Sequence, residues 1–182
     1  MLKIDNLKIA LDDFSNKIIT DAKVNLENSG KVDTGKLKDT LTNVGTKVSK
    51  NSIEIGIKML PYGAFVEKGV RGVGGVRQTT SAFKITNNRG KMWKQKGGKS
   101  PYSFKEGKKP SVKHFIEWSN KRGLSPYAVR EAVYHQGIEP TPFLSKSVDK
   151  NLKTLPQIIQ DAFALDLQST VSLIIKSNFN KK

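Results

Sequence analysis

Val32-Asp33-Thr34-Gly35-Lys36-Leu37 is the stretch on which the fold turns, because the hydrophobic period changes from one side of it to the other. Upstream, Leu7, Leu11, Phe14, Ile18, Ala22 and Leu26 recur at three- and four-residue intervals, with Asp12, Lys17, Asp21 and Lys23 between them. That is the period of an amphipathic helix, predicted over residues 5–28 and ended by Ser29-Gly30. Within the stretch, Asp33 or Thr34 is expected to accept from exposed amides and cap a short second helix carrying Leu37 and Leu41. Downstream the period drops to two. Val44, Thr46 and Val48 alternate with polar residues, and so do Ile53, Ile55 and Ile57 after the Lys50-Asn51 turn, which predicts a hairpin with one buried face.

Further along, Pro61 and Tyr62 open a short helix through Glu67, closed at Gly69, with Tyr62, Phe65 and Val66 expected in the core. Glycines and lysines then dominate to about Lys109. Inside that region Phe83 to Ile85 and Lys91 to Lys94 flank Asn87-Asn88-Arg89-Gly90, the pattern of a second hairpin. Helices return at Ser111, with Val112, Phe115, Ile116 and Trp118 apolar, and again after Ser125-Pro126, with Tyr127, Val129, Ala132 and Val133 apolar. Arg122-Gly123-Leu124 is the turn between them. Pro140 and Pro142 impose extended backbone just before Phe143, so Phe143 and Leu144 enter the next helix as core or interface anchors. That helix runs to about Leu152, and Leu155-Pro156 restarts it with Ile158, Ile159, Ala162 and Phe163 on its apolar face. Beyond Gln168 the pattern fits strand and helix equally. Val171, Leu173 and Ile175 alternate, and Ile174 breaks the alternation.

The chain has 182 residues and no cysteine, which removes disulfides and thiolate metal sites. A core of useful size needs no staples at this length. His114 and His135, with Glu117 and Glu131 nearby, are better read as packing or surface residues than as metal ligands, and no metal or other cofactor is expected. No run approaches a membrane span of roughly 20 apolar residues. Asp5, Asp12 and Asp13 make the opening stretch unlike a secretory signal, so a cytosolic protein is expected. Net charge is +16, and between Lys68 and Lys113 thirteen cations stand against the single acid Glu106. Such an excess points to nucleic acid, an anionic membrane or an acidic protein partner. Helix-turn-helix reading by the pair 111–137 is weak, since its second helix offers only Arg130, His135 and Gln136 as polar readers. No catalytic triad or paired carboxylates are present in the pattern, and Gly72-Val73-Gly74-Gly75 lacks the strand and helix that a phosphate loop requires. An enzyme is not expected.

Three segments in fixed order, Val32 to Leu37, Tyr62-Gly63-Ala64-Phe65-Val66-Glu67-Lys68-Gly69 and Pro140-Thr141-Pro142-Phe143-Leu144, resemble the tail-completion, or head-tail joining, family of long-tailed bacteriophages. Tyr62-Gly63-Ala64 departs from the family's Tyr-Ala, and the stretch from Val70 to Gly137 is long for it. The resemblance implies a single α+β domain over residues 1–182, in which a small antiparallel sheet packs against N- and C-terminal helices. Residues 70–137 would be an insertion, a basic loop (70–110) followed by a helical pair (111–137). It also implies a homo-oligomeric ring, usually of six subunits, that joins the tail tube to the head connector or stopper at the virion neck after assembly in the host cytoplasm. Glu67 would then be either a surface acid or an ion-pair partner for a neighbouring subunit's basic loop. Arg71, Arg77, Arg89, Lys91, Lys94 and Lys96 would meet neighbouring rings, and Phe143 and Leu144 would anchor fold or interface. The basic loop keeps three readings: a solvated loop ordered on assembly, a docking element for acidic connector or tail-tube surfaces, and a transient contact with packaged DNA. Deleting residues 72–108 is expected to leave a folded subunit that fails to assemble. The rival to a virion protein is a small basic nucleic-acid-binding protein, with a nuclease or toxin a distant third.

Overall fold

The computed structural model of the protein describes residues 4–30, 32–49, 52–75 and 93–179. It is an α+β fold whose small sheets are antiparallel. The chain divides into two compact units, Met1–Leu60 with Phe143–Lys182, and Pro61–Pro142.

In the first unit, α1 (Asp5–Asn28) has the bounds its period predicts and buries Leu7, Leu11, Phe14, Ser15, Ile18, Ile19, Ala22 and Leu26 along one stripe. Each large apolar side chain there contributes about 1.5–3 kcal/mol by leaving water. Two helices and a hairpin close over it. Against the N-terminal half lie α7 (Leu155–Phe179) and the hairpin, so that Leu7, Leu11 and Ala162 form a core with Val48, Ile55, Leu155 and Ile159 around it. Against the C-terminal half lies α6 (Phe143–Leu152), joined by a polar ladder in which both helices use every fourth residue. Asn25 Nδ2 donates to Ser147 Oγ at 2.9 Å and to the Phe143 carbonyl at 3.2 Å, and Asn151 Nδ2 donates to Asp21 at 2.7 Å. Lys150 adds an ion pair to Asp21 at 3.1 Å. The hydrogen bond from Asn151, reinforced by Lys150, holds the Asp21 carboxyl below its usual range.

Ile4 precedes α1 and has no side chain able to cap it. The cap comes instead from α7. Asp166, 2% exposed, accepts from the amides of Asn6 and Leu7 at 3.0 Å each and from Asn6 Nδ2 at 2.9 Å. A carboxylate there satisfies donors that a helix start leaves open and complements the helix dipole. Burial pushes the Asp166 pKa up, and the amides of Leu7 and Asn6 more than offset it, so the net shift is downward.

The short helix α2 (Lys36–Asp39) forms, with Leu37 and Leu41 buried, but its cap differs from expectation. Gly35 occupies the N-cap at φ 74°, and no side-chain cap bond is made. The chain reverses through this left-handed glycine, which leaves Asp33 and Thr34 ahead of the cap position.

The hairpin pairs β1 (Thr42–Val48) with β2 (Ile53–Lys58). Its single buried face is interrupted. A bulge between Asn43 and Gly45 inserts one residue, so Val44 turns outward and is 66% exposed. Asn43 and Thr46, an odd number of residues apart, therefore share one face, and both donate to Asp12 of α1, Thr46 at 2.7 Å.

The ambiguous C-terminal stretch is helical, with α7 running to Phe179. Its anchored first half, carrying Ile159, Ala162 and Asp166, makes continuation cheap, since adding a residue to an existing helix needs no new nucleus.

The second unit begins with α3 (Gly63–Lys68), which leads directly into β3 (Val70–Arg71). Past Arg71, Val73 N donates to Tyr134 O and Gly74 N to His135 O, each at 3.0 Å. A short 3-10 turn (Val112–His114), α4 (Ile116–Asn120) and α5 (Pro126–Gln136) follow, and β4 (Gly137–Ile138) comes back antiparallel to β3. The helical pair thus forms where its pattern predicts it, with Gly123 in the turn and Arg122 stacked 4.2 Å over the Trp118 ring. The expected hairpin around Asn87-Asn88-Arg89-Gly90 lies outside the described residues.

Candidate functional site

Residues 93–110 are not a free arm. Arg71 donates its amide to Tyr102 O at 2.8 Å and accepts from Phe104 N at 2.9 Å, so Ser103 sits beside it as a third, parallel strand position. Lys96 N donates to Gln136 O at 2.9 Å, and Ser100 Oγ donates to Gly69 O at 2.7 Å. Four chain passes thus meet at β3, and glycine permits their approach. A Cβ on Gly137, at φ +86°, would overlap the Val70 carbonyl, and one on Gly97 would overlap the same carbonyl.

Around this crossing opens a cleft of about 870 Å³. Tyr62, Phe65 and Val66, the segment from Pro101 to Phe104, Val70, Ile138 and His114 line it. Tyr62 and Phe65 were expected in a core, yet each is 43% exposed. The reason is the rotation of α3. This single short helix turns Gly63 and Glu67, four residues apart, inward, which leaves its aromatic residues on the cleft side. Phe65 meets Tyr102 edge to face at 4.6 Å, and Phe104 lies 6.1 Å from Tyr134.

Behind the cleft, α5 carries a charged cluster. Glu131 takes Lys109 at 2.9 Å and Arg130 at 2.7 Å, with His135 Nε2 at 3.5 Å. Burial raises the Glu131 pKa, but the hydrogen bonds from Lys109 and Arg130 outweigh it and the carboxyl lies below its usual range. His135 Nδ1 is 2.6 Å from the Gly74 carbonyl and must be the donor there, since a carbonyl only accepts. Its ring stacks on Trp93 at 5.5 Å with an interplanar angle of 3°. His135 is therefore engaged in packing, whereas His114 lies at the cleft. No group of three metal-ligating residues occurs among the described residues, and no described helix is long and apolar enough to cross a membrane.

Of the residues singled out in the sequence, Glu67, Arg71, Lys94 and Lys96 fall in this unit, while Phe143 and Leu144 open α6 in the other. Glu67 is not a surface acid, since it is 8% exposed and on the inward face of α3. Arg71, Lys94 and Lys96 are exposed. Arg77, Arg89 and Lys91 lie outside the described residues. Phe143, 1% exposed, is a core residue of α6, and Leu144 is half-buried. The cleft itself was missed. The available signal was Pro101-Tyr102-Ser103-Phe104, an aromatic alternation inside a glycine- and lysine-rich stretch, which is a strand pattern.

No family model matches the chain, and neither a curated protein sequence nor a solved structure matches it.

Proposed function

We propose that the protein is a structural assembly subunit, a tail-completion protein that forms a closed ring, six-fold in the family's usual form, between tail tube and head connector at a phage neck. The observation that carries this reading is the use of the Tyr62-to-Gly69 segment. Its aromatic residues line an open cleft instead of filling a core, and exposed cations such as Lys68, Arg71 and Lys105 adjoin the lining residues in sequence. An assembly subunit needs such surfaces, because a closed ring and its neighbouring rings require different complementary patches on one chain. The three ordered segments support the same reading from the sequence side.

Antibody labelling of purified virions tests the proposal. Label at the neck is expected, and mature particles that lack this chain would overturn it. A salt titration of DNA binding by filter assay separates the nucleic-acid reading. Tight binding that falls steeply with salt, with a slope of about −0.9 for each phosphate neutralised, would favour that rival.

A further inference from the structure

We propose that the cleft of the Pro61–Pro142 unit captures an extended, acid-flanked segment of a partner protein, seating one large apolar side chain against the paired rings of Phe65 and Tyr102. The proposal rests on reading this unit as a docking element, and it names the chemistry of what docks. Three observations converge on one occupant.

The first is a strand edge. In the parallel pairing of Arg71 with Ser103, the flanking Tyr102 O and Phe104 N serve Arg71. A strand's alternation then turns the Ser103 N–H and C=O to the opposite side. Ser103 is exposed, and among the described residues neither group meets a partner. An added peptide strand would find one donor and one acceptor there, the pairing used in β-augmentation. The second is the pocket beside that edge. Ser103 itself lines the cleft, so a segment paired with it would turn alternate side chains toward Phe65 and Tyr102.

The third is charge. Lys68, Arg71, Lys99, Lys105 and Lys113 are exposed, and each lies within two residues of a cleft-lining residue. Among the described residues none has a carboxylate within ion-pair distance. Three acids lie equally near in sequence: Glu67 is buried, and Glu106 and Glu139 are exposed, so five exposed cations face two exposed carboxylates. The unit as a whole holds sixteen lysines and arginines against five glutamates. A field of this sign steers and selects acidic partners. Nucleic acid would suit the charge but not the walls. Phe65 and Tyr102 pack edge to face against one another, and an unpaired strand edge recognises a backbone of amides, not of phosphates.

The test uses the full chain and fluorescence anisotropy. The probe is a labelled twelve-residue peptide with a central tryptophan–isoleucine pair between glutamate triplets. Comparisons are the same peptide with lysine flanks and a twelve-nucleotide oligothymidylate. The acid-flanked peptide is expected to bind at least tenfold more tightly than the lysine-flanked one. Tyr62→Ala and Lys105→Glu should each weaken it several-fold. Ser103→Pro removes the outward N–H while leaving Tyr102 O and Phe104 N in place, so it should cost at least fivefold in affinity with an unchanged melting curve. Equal binding of the two peptides, an unaffected Ser103→Pro variant, or stronger binding of the oligonucleotide would each overturn the proposal. Virion labelling is a separate readout: particles without label would sink the neck reading and leave the peptide result standing, and the reverse holds as well.

Discussion

Ser15 is fully buried in α1, and its hydroxyl is the one buried side-chain polar atom without a hydrogen-bond partner among the described residues. A hydroxyl taken out of water without a bond loses free energy that a methyl group would not. Ser15→Ala should therefore leave the fold intact and raise stability by up to about 1 kcal/mol, read from urea melts. The opposite sign is expected at Asp166. Its carboxyl, like those of Asp21 and Glu131, has a folded pKa below its ordinary value. The native state therefore binds fewer protons than the unfolded chain in the acid range. The stability contributed by these groups is fully present above the ordinary carboxylate pKa of about 4 and is lost as pH falls through the lower folded values. Melting temperature should thus decline between about pH 5 and pH 2. Asp166→Asn should lower it at neutral pH and flatten that decline; an unchanged acid slope in this variant would mean that the bonds to Asn6 and Leu7 are not what depresses the pKa.

At the scale of elements, the crossing at β3 depends on backbone that only glycine supplies. Gly137 has φ +86° and ψ −172°, a conformation essentially reserved for glycine, and an added Cβ would meet the Val70 carbonyl. Gly137→Ala should destabilise the Pro61–Pro142 unit by about 2–3 kcal/mol, with loss of the Phe65–Tyr102 contact visible in aromatic NMR shifts. None of this could be read from the glycine count, since a glycine-rich stretch reads equally well as a flexible loop. What was legible came from period and punctuation. The six apolar positions of α1, the glycine after it, and the prolines before Phe143 and at 156 mark helix ends that local rules govern. What was not legible depends on distant partners. Val44 faces outward because of a bulge, and Tyr62 and Phe65 line a cleft because Glu67 turns in. Asp166 caps a helix 160 residues away, and no local pattern announces that. The last helix was undecided because Val171, Leu173 and Ile175 satisfy both periods until the preceding anchored turns choose between them.

At the scale of the whole molecule, the stretch between Gly75 and Trp93 begins and ends at one point, since Trp93 N donates to Gly75 O at 3.0 Å. A segment whose ends already meet can be shortened at little cost, because loop closure changes by only about 0.6 kcal/mol per twofold change in length. Replacing residues 77–91 by two glycines should leave the melting temperature within about 4 °C of the parent. It also removes four cations, Arg77, Lys84, Arg89 and Lys91. Deletion of residues 72–108 is a different matter. It takes away Gly97, Ser100, Tyr102 and Phe104, which bond or pack against β3, Gly69 and Phe65. The structure replaces the expectation of an intact fold with loss of order in the Pro61–Pro142 unit, while α1, α6, α7 and the hairpin, which share none of those contacts, keep their circular dichroism. Comparing the two deletions by thermal melting and by particle assembly separates the charge of the excised stretch from the scaffold that carries the cleft. If the short replacement assembles and the long deletion does not, docking belongs to the cleft; if both fail while the short one melts normally, the cations at 77–91 carry the contact instead.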